Sequence, residues 1–156
     1  MQPSSLIGQH GVEIDGDAVT LRMRGPVSLE ETERCLATVE QVMAERGRAF
    51  LLIDHRQVGP SGPEVRRCMA EWARGHKIDG IAIVGASLPM RTVSVLLIRG
   101  IALLYSRPDL IERVAFARSE AEARTFLAER RARLDATSTR SPRAAHGPRD
   151  GSPGPR

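Results

Sequence analysis

Three short apolar runs constrain this chain more than anything else in it: "AFLLI" at 49–53, "IAIV" at 81–84 and "RVAFA" at 113–117. A strand wetted on one face alternates apolar and polar residues, whereas a continuous apolar run must be covered on both. Between the runs lie segments with helical spacing. Helices joining successive buried strands imply parallel pairing through right-handed crossovers, with the helices packed on the sheet.

Ahead of these units the pattern changes period. "GVEI" runs into the turn "DGD" at 15–17, and "AVTLRMRG" follows. Val19, Leu21 and Met23 alternate with Thr20, Arg22 and Arg24, which predicts an antiparallel hairpin with one wet face. Four helices are then expected. Ser28 with Glu31, Ser61 with Glu64 and Ser119 with Glu122 each write the Ser-x-x-Glu capping box, in which two side chains satisfy orphaned backbone N–H groups. The first helix carries Leu36, Val39, Val42 and Met43 and stops at Gly47. The second places Val65, Cys68, Met69 and Trp72 on one face and ends at Gly75. The third starts near Pro89 and runs through Val93, Leu96, Leu97, Ile101 and Leu104 as a core helix, stopping before Pro108. The last runs through Phe126 and Leu127 towards Leu134. The expected order is ββαβαβαβα, an α/β fold with a mixed sheet.

At 156 residues the chain is long enough for one domain with its own core. It is 41% hydrophobic but 3% aromatic, so the core must be aliphatic, and the chain lacks rings on which single-stranded nucleic acid stacks. The net charge of +4 comes with no block of like charges, which gives no basic tract for nucleic acid. Cys35 and Cys68 fall on apolar helix stripes, with no spacing that suggests zinc. No cofactor or metal is expected, and the absence of a signal peptide points to the cytoplasm. "VSVLLIRGIALLY" is too short to span a bilayer and contains Arg99 and Gly100. Residues 1–134 are expected to form the domain. Residues 135–156, "DATSTRSPRAAHGPRDGSPGPR", hold four Pro and three Gly and are expected to form a disordered tail, with His146 incidental within it.

The order of elements, with a serine opening the helix after the third expected strand, resembles the STAS domain superfamily, and within it the SpoIIAA-like (STAS/SEC14-type) small bacterial proteins. The resemblance covers about residues 8–134 and rests on "LLIDHRQV", "GPSGPE" and "AIVGASLPMRT". It implies a non-catalytic signalling or interaction module. In the anti-sigma-factor antagonists of the superfamily, a D-S-[ST]-G turn at this helix start carries a serine that partner kinases phosphorylate. Ser61-Gly62 matches its last two positions, while Gly59 and Pro60 replace the first two. The SpoIIAA-like branch also implies an alternative, a carrier with an apolar cleft under a mobile helix.

Ser61 is therefore a helix cap or a phosphorylation switch. A hydrolytic nucleophile is disfavoured, because no G-x-S-x-G elbow surrounds it. Asp54 and His55 are expected to end their strand, with Asp54 stabilising the turn and His55 and Arg56 at its rim. Ligands of parallel sheets gather at the carboxyl ends of strands. If the ends of the third and fourth strands adjoin, the amides at Gly62 and Ser87 would converge with Arg56, Arg91 and Thr92 to hold an anion. His55 and Arg91 are the residues an enzyme would use, but a binding protein is the expectation. Gly100 marks a hinge or a close approach in the third helix. Its working partner is a protein or a small lipid-like ligand, and a homodimer is a further candidate assembly.

Overall fold

Gly16 turns the chain with φ +61°, and the hairpin closes where the acidic-glycine triplet stands. The computed structural model describes residues 5–104 and 109–139. β2 (His10–Asp15) and β3 (Ala18–Val27) form this hairpin, and a short β1 (Ser5–Ile7) pairs antiparallel outside β2. β4 (Phe50–Ser61), β5 (Gly80–Val84) and β6 (Val114–Ala117) then add in parallel, so the six strands lie in sequence order, β1-β2-β3-β4-β5-β6. The sheet is mixed, as the α/β pattern predicts.

Five helices are described: α1 (Leu29–Arg46), α2 (Pro63–Gly75), α3 (Leu88–Leu104), α4 (Asp109–Arg113) and α5 (Glu120–Thr139). α1 and α2 cover one face of the sheet. There Cys35, Val39 and Val42 of α1 and Trp72 of α2 join Val19, Leu21, Leu51, Ile53 and Ile81. The other face carries Phe50, Leu52, Ala82, Val84 and Ala117 under Ala123 and Leu127 of α5. Strands added in one direction through crossovers of one hand put every connecting helix on the same side. α3 follows suit, since its Arg91 sits over the Phe116 ring, which is in register with Ile83 two residues from Ile81. Among the described residues, α5 alone covers the opposite face.

α5 is fastened at the far end of the sheet. Asp17, in the β2–β3 turn, pairs with Arg131 of α5 and with Arg48, which also reaches Asp135. The Phe50 ring lies beneath both guanidinium groups, 5.7 Å from Arg48 and 4.9 Å from Arg131. Arg130 donates to the Asp79 carbonyl at 2.7 Å.

Five expectations change. β1 and α4 join the expected order, giving βββαβαβααβα. α5 continues to Thr139, past the boundary at 134. The remaining expected tail, 140–156 with His146, lies outside the described residues. β4 does not end at His55 but runs twelve residues, and beyond Asp54 it pairs with β3 alone. α2 begins one residue later than its capping box requires: Gly62 is the N-cap and makes no side-chain cap bond. Pro63 explains the shift, because a proline disfavours helical φ/ψ at the residue before it and fits the first helical position. Gly62 is accordingly extended, at φ −68° and ψ 166°, and takes the cap position in place of Ser61. Finally, α3 is not wholly a core helix, since Leu88, Leu96 and Leu103 are 77%, 65% and 83% exposed.

Candidate functional site

β4 passes the end of β5 carrying Asp54, and the ladder slips there. Arg22 pairs with Asp54 and Arg24 with Gln57, so Met23 faces two residues, His55 and Arg56. This bulge leaves the Arg56 N–H off the ladder, and the Asp54 carboxylate takes it at 3.0 Å. The same carboxylate holds the Arg56 side chain through Nε at 2.9 Å and Nη2 at 2.6 Å. The Arg56 guanidinium accordingly holds Asp54 below the usual carboxylate range, with the backbone bond and Arg22 adding to the effect against partial burial.

Next to it, Arg22 spans the sheet surface to α5. Its Nη1 and Nη2 donate to Glu120 at 2.8 and 3.1 Å, and its Nε reaches Glu13 at 3.3 Å. Arg124 adds a second partner to Glu120 at 2.7 Å. These side-chain bonds, Arg22 first, lower the Glu120 carboxyl to about 2. Arg22, Met23, Arg24, Asp54, Arg56 and Gln57 line an open cleft of about 400 Å³. Arg22, Arg24, Asp54 and Gln57 had no place in the expected site, although β3 already displayed Arg22 and Arg24 on its wet face. Glu120 lies 98 residues from its partner Arg22, and no local pattern joins them.

The expected site residues divide. Arg56 packs against the turn after β5, where Gly85 at φ +75° leaves no room for a Cβ beside the Arg56 backbone. His55 points to the face opposite Asp54. Its Nδ1 is buried with no hydrogen-bond partner, and burial lowers its pKa. Ser61 ends β4, in register with Val27 of β3. Its hydroxyl has no partner among the described residues, while Arg66 of α2 donates to its carbonyl at 2.6 Å. Glu64 folds back over Gly62. Ser87 immediately precedes α3, its carbonyl accepting from the Arg91 N–H at 2.8 Å. Arg91 donates to the Phe116 carbonyl at 3.1 Å, and Thr92 bonds back to the Leu88 carbonyl.

Gly62 and Ser87 are thus carried apart. β4 overshoots its last pair with β5 by seven residues, about 20 Å of strand at ~3.3 Å per residue. The structure brings Arg56 beside the β5–α3 turn but sets Ser61 and Gly62 on a separate projection formed by β3 and β4.

On the α1–α2 side, β5 and β6 are unevenly covered. Ile81, Ile83 and Phe116 are only half-buried, whereas Ala82 and Val84 on the α5 side are buried. Cys35 is buried, which pushes its thiol up to about 11. No cluster of His, Cys, Asp and Glu able to hold a metal occurs among the described residues, and no helix among them is long and apolar enough to cross a membrane.

A linear mixed sheet with its crossover helices on one face and a single closing helix on the other is a SpoIIAA-like fold. It is shared with the crystal structure of an uncharacterised protein of the DUF3478 family from Shewanella loihica PV-4, at a TM-score of 0.52 and 18% identity, over 76% of this chain and 91% of that one. The likeness is one of fold. No family model matches the chain, and no curated protein matches it.

Proposed function

We propose that this SpoIIAA-like chain is a non-catalytic protein-interaction module whose working surface is the β4–α2 turn, switched at Ser61. The observation that carries the reading is the released Ser61 hydroxyl. Among the described residues it stands unpartnered, before a helix whose N-cap is a glycine without a side-chain bond. A phosphoryl group there would meet the free amides and positive end of α2, with the Arg66 guanidinium already at the Ser61 carbonyl. It would also displace Glu64, so modification would change both the charge and the shape of the turn. Phosphopeptide mapping of the protein from its own cells, paired with affinity capture by wild type, Ser61→Ala and Ser61→Asp, tests this. The expected result is modified Ser61 and a partner held by wild type and Ser61→Ala but released by Ser61→Asp. Identical partners for all three proteins refute it.

A second reading, a carrier of a small lipid-like ligand, is favoured by a different observation. The half-buried Ile81, Ile83 and Phe116 lie on the α3 side of the sheet, and α3 exposes three leucines. An amphipathic passenger between α3 and the sheet would cover this apolar surface. Native mass spectrometry of gently purified protein should then show an added mass that organic extraction removes. Its absence, with no change on lipid titration, rejects the reading.

A further inference from the structure

The cleft on the α5 side is a second site, independent of the Ser61 turn and of any passenger beneath α3. We propose that it binds the phosphoryl group of a phosphate monoester, with Arg24, Arg56 and Gln57 as the donors.

Its construction follows from the bulge. Arg24 and Gln57 are directly paired across β3 and β4, so their side chains stand side by side. Arg56 is the extra residue of β4, and its salt bridge to Asp54 turns it to the same face as Arg22. In an unbulged strand, strict alternation would send adjacent residues such as Arg56 and Gln57 to opposite faces. The slip brings three guanidinium groups and one amide around a single cleft.

The donors are not equally engaged. All three nitrogens of Arg22 are committed to Glu13 and Glu120. Arg56 uses Nε and Nη2 on Asp54, which leaves Nη1 open. Among the described residues, the Arg24 guanidinium and the Gln57 amide have no partner. The Arg24 backbone, in contrast, is fixed, since its N–H donates to the buried His10 Nδ1 at 3.1 Å. Asp54, Glu13 and Glu120 thus hold two arginines in place while the third and the amide remain available. Donors from three side chains suit an anion with three terminal oxygens, and Arg is matched to phosphate by its planar fork. A cleft of about 400 Å³ accommodates the group and a small organic substituent.

The test is calorimetric titration of the full chain with phenyl phosphate and with benzoate at matched ionic strength, alongside sedimentation with phosphatidic-acid or phosphatidylcholine vesicles. Saturable binding of phenyl phosphate, with benzoate at least tenfold weaker, is expected. Arg24→Ala should weaken it at least tenfold and Gln57→Leu severalfold. Arg67→Ala, which removes an exposed charge on α2, should leave it unchanged. Arg24→Ala spares the His10 bond, which uses the backbone, and far-UV circular dichroism checks its fold. Phosphatidic-acid vesicles retained by wild type and lost by Arg24→Ala would assign the phosphoryl group to a lipid head. Binding of phenyl phosphate alone would assign it to a soluble ester. Absence of both, equal affinity for benzoate, or equal weakening by Arg67→Ala overturns the proposal.

Discussion

Asp54 is 8% exposed and serves the bulge twice, as acceptor for the Arg56 N–H and as partner of the Arg56 guanidinium. Asp54→Ala removes both. A backbone donor left without an acceptor costs about 1–3 kcal/mol. The Arg56 side chain is 57% exposed, so its lost ion pair adds at most ~1 kcal/mol after solvent screening. The expected destabilisation is therefore about 1–4 kcal/mol, a fall in Tm on the order of 10 °C at mid-range for a domain of this size. Asp54→Asn keeps an oxygen where the N–H points and loses mainly the charge, so it should cost only ~1 kcal/mol. Urea unfolding followed by tryptophan fluorescence and circular dichroism measures both variants, with the m-value expected to stay constant. If Asp54→Ala and Asp54→Asn prove equally stable, the carboxylate does not hold the bulge through the backbone, and the reasoning fails.

Acid should loosen the same surface. Glu120 is lowered from 4.5 to about 2. Its contribution is thus complete above pH 4.5 and lost as the pH falls towards 2. Unfolding midpoints between pH 6 and pH 2 should drop along that window, and Glu120→Gln should flatten the drop. His55, lowered by burial, adds a loss that begins below its ordinary pKa near 6.5, which Nε2 chemical shifts in a pH titration would follow. Gly85→Ala forces a Cβ at φ +75° onto the Arg56 backbone and should cost about 2–4 kcal/mol in urea unfolding. Gly100→Ala meets no described atom within 4 Å and should stabilise by ~0.5–1 kcal/mol, whereas a hinge at Gly100 would also lose its mobility by hydrogen exchange. Cys68, half-buried, should react with a disulfide reagent at pH 8 well before the buried Cys35, whose thiol lies near 11. Equal rates would contradict the burial.

The layer order of the fold could be read because its signals are local. Unbroken apolar runs, the capping box at Ser28, the Ser119 hydroxyl that accepts from the Glu122 N–H and the Gly16 turn each declare themselves within a few residues. β1 and α4 escape because three and five residues are too few to show a period. The length of β4 escapes for another reason. "DHRQ" is polar enough to pass for a loop, and what makes it a strand is its pairing with β3, some thirty residues earlier. Ser61 shows two local rules in conflict, the Ser-x-x-Glu box against the residue-before-proline restriction, and Pro63 prevails. The cleft depends on a one-residue slip and on Glu120 across the sheet, neither of which leaves a mark in local sequence. Arg22 and Arg24 could have been singled out as cations on a wet strand face, but not the Asp54 and Gln57 that complete the arrangement.

The cover that α5 gives one sheet face, the only one among the described residues, bears on how the chain is made. During synthesis from the N-terminus, β1 to β5 and the helices on the α1 side can begin to assemble while later residues are still being added. Phe50, Leu52, Ala82 and Val84 then form a continuous apolar strip with nothing to lie on it until Ala123 and Leu127 emerge. The nascent chain passes through an interval in which half its core is finished and the other half is open. The Asp17 clamp on Arg131 closes that interval only with the last described helix. A chaperone that recognises apolar strand surface would find its target in this window, and a chain truncated before Glu120 would never leave it.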